Sequence, residues 1–175
     1  MKTNLVLKAN LLVFLFLVSC TPFSRQALQQ VNTDAPFQQI QQDTDRFLGK
    51  TVLWGGSIIN TDVRGNGTYI KVLETRLDYE AMPVKIDQPQ GRFIIFKPGF
   101  LDPAVYKQGR LISAIGTITG KEIEPVGSVN YAYPVIEAKD LYLWRLMPSA
   151  PYYPPAPYYP LGYPNYPPMN SFGWW

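Results

Sequence analysis

Three hydrophobic patterns succeed one another along this 175-residue chain. Leu11 to Val18 is an unbroken apolar run. From about Phe47 to Trp144, apolar and polar residues alternate in short stretches rich in β-branched and aromatic side chains. From Met147 onward aromatic residues are spaced by proline, and no charged side chain occurs. The middle region therefore carries the folded domain, and its period of two points to strands.

Lys50 to Ile59 predicts a first strand, with Gly55-Gly56 marking a sharp bend or bulge. Arg64-Gly65-Asn66-Gly67 predicts a hairpin turn, because Asn-Gly tolerates the positive φ that tight turns require. Thr68 to Glu74 is the returning strand, with Ile70 and Val72 facing one way and Tyr69 and Lys71 the other. A loop broken by Pro83 and Pro89 leads to Arg92 to Phe96, a third strand. Asp102 followed by Pro103 predicts the start of a short helix, a carboxylate cap ahead of a proline suited to the first turn, ended by Gly109. Arg110 to Gly120 predicts a fourth strand bent at Gly116. A loop through Pro125 and Gly127 precedes Pro134 to Ala138 and Asp140 to Trp144, a fifth strand interrupted in the middle. Upstream, Pro36 to Asp43 predicts a short amphipathic helix with Phe37 and Ile40 on one face.

The fold class expected is mainly β: a small five-stranded OB-like Greek-key barrel. A short helix lies between strands three and four, and the domain carries an N-terminal helix and a Pro/Tyr-rich tail. Curvature accounts for the glycines in strands one and four. An open antiparallel sheet packed by the N-terminal helix is the structural alternative.

The first apolar run changes the picture from fold to address. Lys2 and Lys8 precede it, Ser19 follows it, and the only cysteine, Cys20, comes next. A positive start, a brief apolar core and a small residue describe an export signal, while a membrane span needs roughly 20 apolar residues. Leu17-Val18-Ser19-Cys20 is similar to a bacterial lipobox, in which the thiol is acylated and the signal is cut before the cysteine. The alternative is an ordinary secretory signal with a chance cysteine. The chain divides into a signal at 1–19, a lipidated polar tether at 20–34, a β domain at 35–147 and an aromatic tail at 148–175.

Composition narrows the chemistry. The chain has 16 basic and 13 acidic residues, two of the lysines falling in the signal, so the mature protein is near neutral. That balance argues against nucleic acid, whose affinity rests on clustered Lys and Arg, and leaves anchoring to the acyl chains on Cys20. There is no histidine. With Cys20 capped, Ser-His-Asp and Cys-His nucleophiles, zinc sites built on His or Cys, and disulfides are all excluded. No glycine fingerprint for phosphate or dinucleotide binding occurs. No cofactor, metal site or catalytic residue is expected, and the chain is not read as an enzyme.

Several strings carry a family likeness: Gly91-Arg92-Phe93, then Gly99-Phe100-Leu101-Asp102-Pro103, Tyr106, and Ile115-Gly116-Thr117-Ile118. Trp54-Gly55-Gly56-Ser57-Ile58-Ile59 and Tyr131-Ala132-Tyr133-Pro134-Val135 agree with them. Together they resemble the starvation-inducible outer-membrane lipoprotein (Slp) family of Gram-negative bacteria over nearly the whole mature chain. The resemblance implies lipidation at Cys20, outer-membrane residence and a link to starvation and envelope stress. It implies no defined catalytic activity, and Thr21 agrees with the destination, since inner-membrane retention is associated with aspartate at this position.

No other residue rises to a site. Asp102 is explained by helix capping, Gly99 by a turn and Trp54 by anchoring the core. Arg92 and Arg110 are expected to be solvated or paired with a carboxylate, and Tyr131 and Tyr133 to be half-buried strand residues. The tail, Tyr152-Tyr153, Tyr158-Tyr159, Tyr163, Tyr166, Phe172, Trp174 and Trp175 among prolines, has two readings. It is a solvated end, or it docks on the domain, the membrane interface, an envelope protein or a glycan. The preferred function is a structural or interaction role in the envelope; the alternative is a periplasmic small-ligand or oligosaccharide binding module on an OB-like barrel.

Overall fold

The computed structural model describes residues 21–145. The signal with Cys20, and the aromatic tail, lie outside the described residues. Two short helices, α1 (Arg25–Leu28) and α2 (Phe37–Gln42), and a 3-10 turn (Thr44–Phe47) precede five strands. These are β1 (Thr51–Arg64), β2 (Gly67–Glu74), β3 (Gly91–Lys97), β4 (Leu111–Val126) and β5 (Val129–Leu143). The fold is mainly β, as the alternation of apolar residues predicts.

The strands form one mixed sheet in the order β1-β2-β3-β5-β4, and β4 returns to pair with β1, closing the ring. All neighbours are antiparallel except β3 and β5, which run parallel from Ile94↔Val135 to Phe96↔Glu137. The predicted turn joins β1 to β2 with Arg64 opposite Gly67. Inside the ring, Ile70, Val72, Phe93, Ile95, Ile112 and Ile136 are wholly buried. Helix α2 covers one opening: Phe37 packs edge-on to Trp54 with ring centroids 4.9 Å apart, and Trp54 meets Phe93 at 5.2 Å. A side chain at Gly91 would collide with the Phe37 ring, so this glycine lets the helix approach β3.

The structure departs from the expected elements in three places. At Gly55-Gly56 the strand stays in register; the shift comes later, between Ile58 and Asn60. Gly56 instead admits the β2 backbone, because a Cβ there would overlap the Leu73 carbonyl oxygen. Between β3 and β4 the expected helix is reduced to a turn. Tyr106 N–H donates to the Asp102 carbonyl at 3.0 Å and Ala104 N–H to the Asp102 carboxylate at 2.8 Å, and the pattern is not propagated. Gly109 N–H donates instead to the Ile58 carbonyl of β1 at 2.9 Å, so the chain is drawn to the sheet rather than into a second helical turn.

The third departure is the hairpin of β4 and β5. The expected loop around Pro125 and Gly127 is a two-stranded arm paired down to Val126↔Val129, and β5 runs unbroken through Pro134. A two-stranded arm has free edges, where a proline's missing N–H takes nothing from the ladder.

Candidate functional site

The chemistry predicted for Cys20 enters the described structure at its neighbour, Thr21. Three residues past the cysteine, Phe23 is buried, with 3% of its surface exposed. Ser24 caps α1, accepting from Ala27 N–H at 3.1 Å, and the helix turns Ala27, Leu28 and Val31 onto the same surface. These residues cover Leu53 of β1, Ile115 of β4, and Leu77 and Ala81 of the β2–β3 loop. Asn32 then clamps the strand: its side-chain oxygen accepts from Thr51 N–H at 2.9 Å, and its own N–H donates to the Thr51 carbonyl at 3.1 Å. The segment expected to stand off as a tether is laid along the outside of the β1–β4 pair. The signal for this was legible, since Phe23, Ala27, Leu28 and Val31 share one helical face, but the surrounding glutamines masked it.

A second outer face, on β2 and β3, is where an OB-type module would take a ligand. Here the β4–β5 arm lies over it. Tyr133 and Val135 pack with Ile94, Tyr69 and Phe96, and Tyr131 stacks edge-on to Tyr133 at 4.8 Å. The Tyr131 hydroxyl accepts from Arg92 N–H at 2.8 Å, tying the arm to β3. Charges rim the contact: Lys71 meets Glu124, Arg64 reaches Glu122 at 3.2 Å and Glu124 at 3.8 Å, and the Arg64 guanidinium lies over the Tyr69 ring at 4.0 Å. Tyr131 is half-buried as expected, whereas Tyr133 is buried outright at 4% exposure, and together they seal this face.

The remaining residues singled out earlier fall in separate places. Trp54 is a core residue, 6% exposed. Among the described residues Arg110 meets no carboxylate: it donates to the carbonyls of Trp144 at 2.7 Å and Val105 at 3.4 Å, fastening the end of β5 to the β3–β4 loop. Gly99 sits at φ +90°, a turn conformation that side chains resist, and its carbonyl accepts the Thr68 hydroxyl.

One residue escaped the sequence reading. Glu74 ends β2 on the inward-facing side with Ile70 and Val72, only 6% exposed, and its Oε2 has no hydrogen-bond partner among the described residues. Burial pushes its carboxyl up to about 7, opposed by the nearby Arg76 charge. A lone glutamate at a strand end looks like a solvated residue until closure of the ring places it inside. Among the described residues, no group of three or more His, Cys, Asp or Glu side chains gathers in a metal-binding arrangement.

The sequence matches the Outer membrane lipoprotein Slp family over residues 17–173. It is 36% identical over 104 residues to an uncharacterized protein of Haemophilus influenzae, covering 59% of this chain and 56% of that one. To the outer membrane protein Slp of Escherichia coli K12 it is 25% identical over 128 residues, 73% of this chain and 68% of that protein. The uncharacterized lipoprotein YeaY of Escherichia coli K12 is 26% identical over 100 residues, 57% of this chain and 51% of its own length. The matched segment thus spans about half the length of the Haemophilus protein and of YeaY.

Proposed function

The chain belongs to the outer membrane lipoprotein Slp family of Gram-negative bacteria, and on that premise we propose that Cys20 carries the lipid and that the domain has a structural or interaction role in the envelope. The observation that carries this reading is the position of Phe23. A lipid on Cys20 lies three residues from a side chain locked into the fold, and extended chain spans at most roughly 3.6 Å per residue. The anchor therefore acts on the domain itself and holds it within about 10 Å of the acyl chains. Several acyl chains on one residue hold a protein firmly, at about 0.8 kcal/mol per buried methylene.

The closed strand order with a parallel β3–β5 pair supports assigning the ring to an OB-like Greek-key barrel. The ligand-module reading finds less support, because the face it would use is packed under the chain's own arm. An envelope role under starvation or stress, through a protein or glycan partner, needs no catalytic step and remains the preferred reading.

Replacing Cys20 with Ala tests the proposal. The expected result is an unprocessed precursor lacking the acyl mass and released from outer-membrane fractions. A Cys20→Ala protein that is still cut after Ser19 and stays in the membrane overturns it.

A further inference from the structure

We infer that the aromatic patch around Ala81, made by Tyr79, Tyr142 and Trp144, is a second contact with the phospholipid leaflet that receives the acyl chains. The inference rests on the Cys20 anchor proposed above. Its starting point is a strained turn. Residues 76–84 form a small hairpin with a Leu77↔Pro83 bridge, and Asp78 N–H donates to the Met82 carbonyl at 2.9 Å. The Asp78 carboxylate turns back to accept from the N–H groups of Glu80 and Met82. Ala81 is held at φ 66°, in the left-handed region that a residue with a Cβ avoids. Such strain persists only where surrounding contacts over-determine it.

Two contacts hold Ala81 there. The Ser113 hydroxyl donates to the Ala81 carbonyl at 2.6 Å, while Ala81 packs in the cluster of Phe23. The result places Tyr79 at the hairpin tip, 83% exposed. The same Ser113 oxygen accepts from the Trp144 indole N–H at 2.9 Å. Tyr142 sits directly opposite Ser113 in the β4–β5 ladder, its ring 4.7 Å from that of Trp144. One buried hydroxyl thus gathers two aromatic elements beside the point where the anchor leaves the domain.

The chain's path selects the occupant. Phe23 lies three residues from Cys20, so the patch is held near the bilayer surface whenever the acyl chains are inserted. Trp144 is followed by the segment 146–175, with nine aromatic residues and no charged side chain. Phe23 and Trp144, near the two ends of the described chain, thus both join the Ala81–Ser113 contact. Tyrosine and tryptophan favour the membrane–water interface, with the ring against the acyl boundary and the polar tip among headgroups. A solvent-facing Tyr79 beside a lipid anchor has that setting built for it.

The test uses the full mature lipidated chain in phosphatidylethanolamine–phosphatidylglycerol vesicles. Because the Cys20 thiol is acylated, Tyr79→Cys offers one site for an environment-sensitive fluorophore. Ile123→Cys, on the exposed side of the arm, supplies the reference. The expected result is a blue-shifted emission at position 79, quenched several-fold more by bromolipids than the label at 123. Equal, solvent-like emission from both sites on floating vesicles overturns the inference alone. A label at 79 that is blue-shifted but no more quenched by bromolipids than the label at 123 also overturns it, since the protein then covers the patch. A chain that lacks lipid and does not float overturns the anchor reading and the inference together.

Discussion

The two covered outer faces of the ring are sealed by different physics. Over β1 and β4 the cover is apolar and built from chain outside the sheet: Phe23 and its helical neighbours rest on Leu53 and Ile115. Over β2 and β3 the cover is the sheet's own extension, with tyrosine packing inside and ion pairs at the rim. An apolar seal draws on area removed from water and is nearly indifferent to salt. Partly exposed ion pairs are screened and contribute little singly. The comparison teaches that the face covered by residues 21–34 relies on apolar burial, whereas the β2–β3 face adds to its buried tyrosine a rim of ion pairs that salt weakens.

The largest effect expected is from Phe23→Ala. Losing a buried phenylalanine should cost about 3 kcal/mol, read as a lowered midpoint in urea for the mature protein, with the same loss at low and high salt. A change below about 0.5 kcal/mol would erase the distinction between the faces, making residues 21–34 a loose tether after all.

Glu74 lies where the β2 ladder ends and the loop to the β1–β4 cover begins, and its titration sharpens the contrast. The folded carboxyl is raised to about 7 from 4.5, so between these values the folded state holds a proton that the unfolded state has released. Stability therefore falls as pH rises from about 4.5 to 7 and is flat above. Glu74→Gln should stabilise the protein by on the order of 2 kcal/mol at pH 8 and by little at pH 4.5. A thermal-denaturation series across pH reads this directly, and a pH-independent difference would show that the carboxylate is not paying for burial.

The smallest effect belongs to the rim. A double-mutant cycle of Lys71→Gln and Glu124→Gln should give a coupling of about 0.5–1 kcal/mol in dilute buffer, shrinking at 1 M salt. Their side chains are 17% and 26% exposed, so the pair is screened but not free. Coupling that ignores salt would mean that the two faces are sealed alike.

Local chemistry made much of this protein legible. The Asn66-Gly67 turn, the inward Ile70 and Val72, the short helix with Phe37 and Ile40, and the Slp likeness in Gly99 to Pro103 all depend on neighbours a few residues away. Other features did not read out. The helix expected at Asp102 stops after one turn because Gly109 N–H pairs with Ile58 of β1, a contact no local pattern announces. The arm through Pro125 and Gly127 reads as loop because a proline's cost depends on whether its strand edge is paired, and that is settled by the sheet.

The sequence by itself determined the strand-rich class, the apolar periodicity and the likeness to the Slp family, because these follow from adjacent side chains and their spacing. Only the tertiary structure decided that the ring closes, that Glu74 faces inward at its end, and that Phe23 packs with Ala81 while Trp144 reaches Ser113. Those outcomes join residues far apart in the chain, and burial is a property of what arrives from elsewhere.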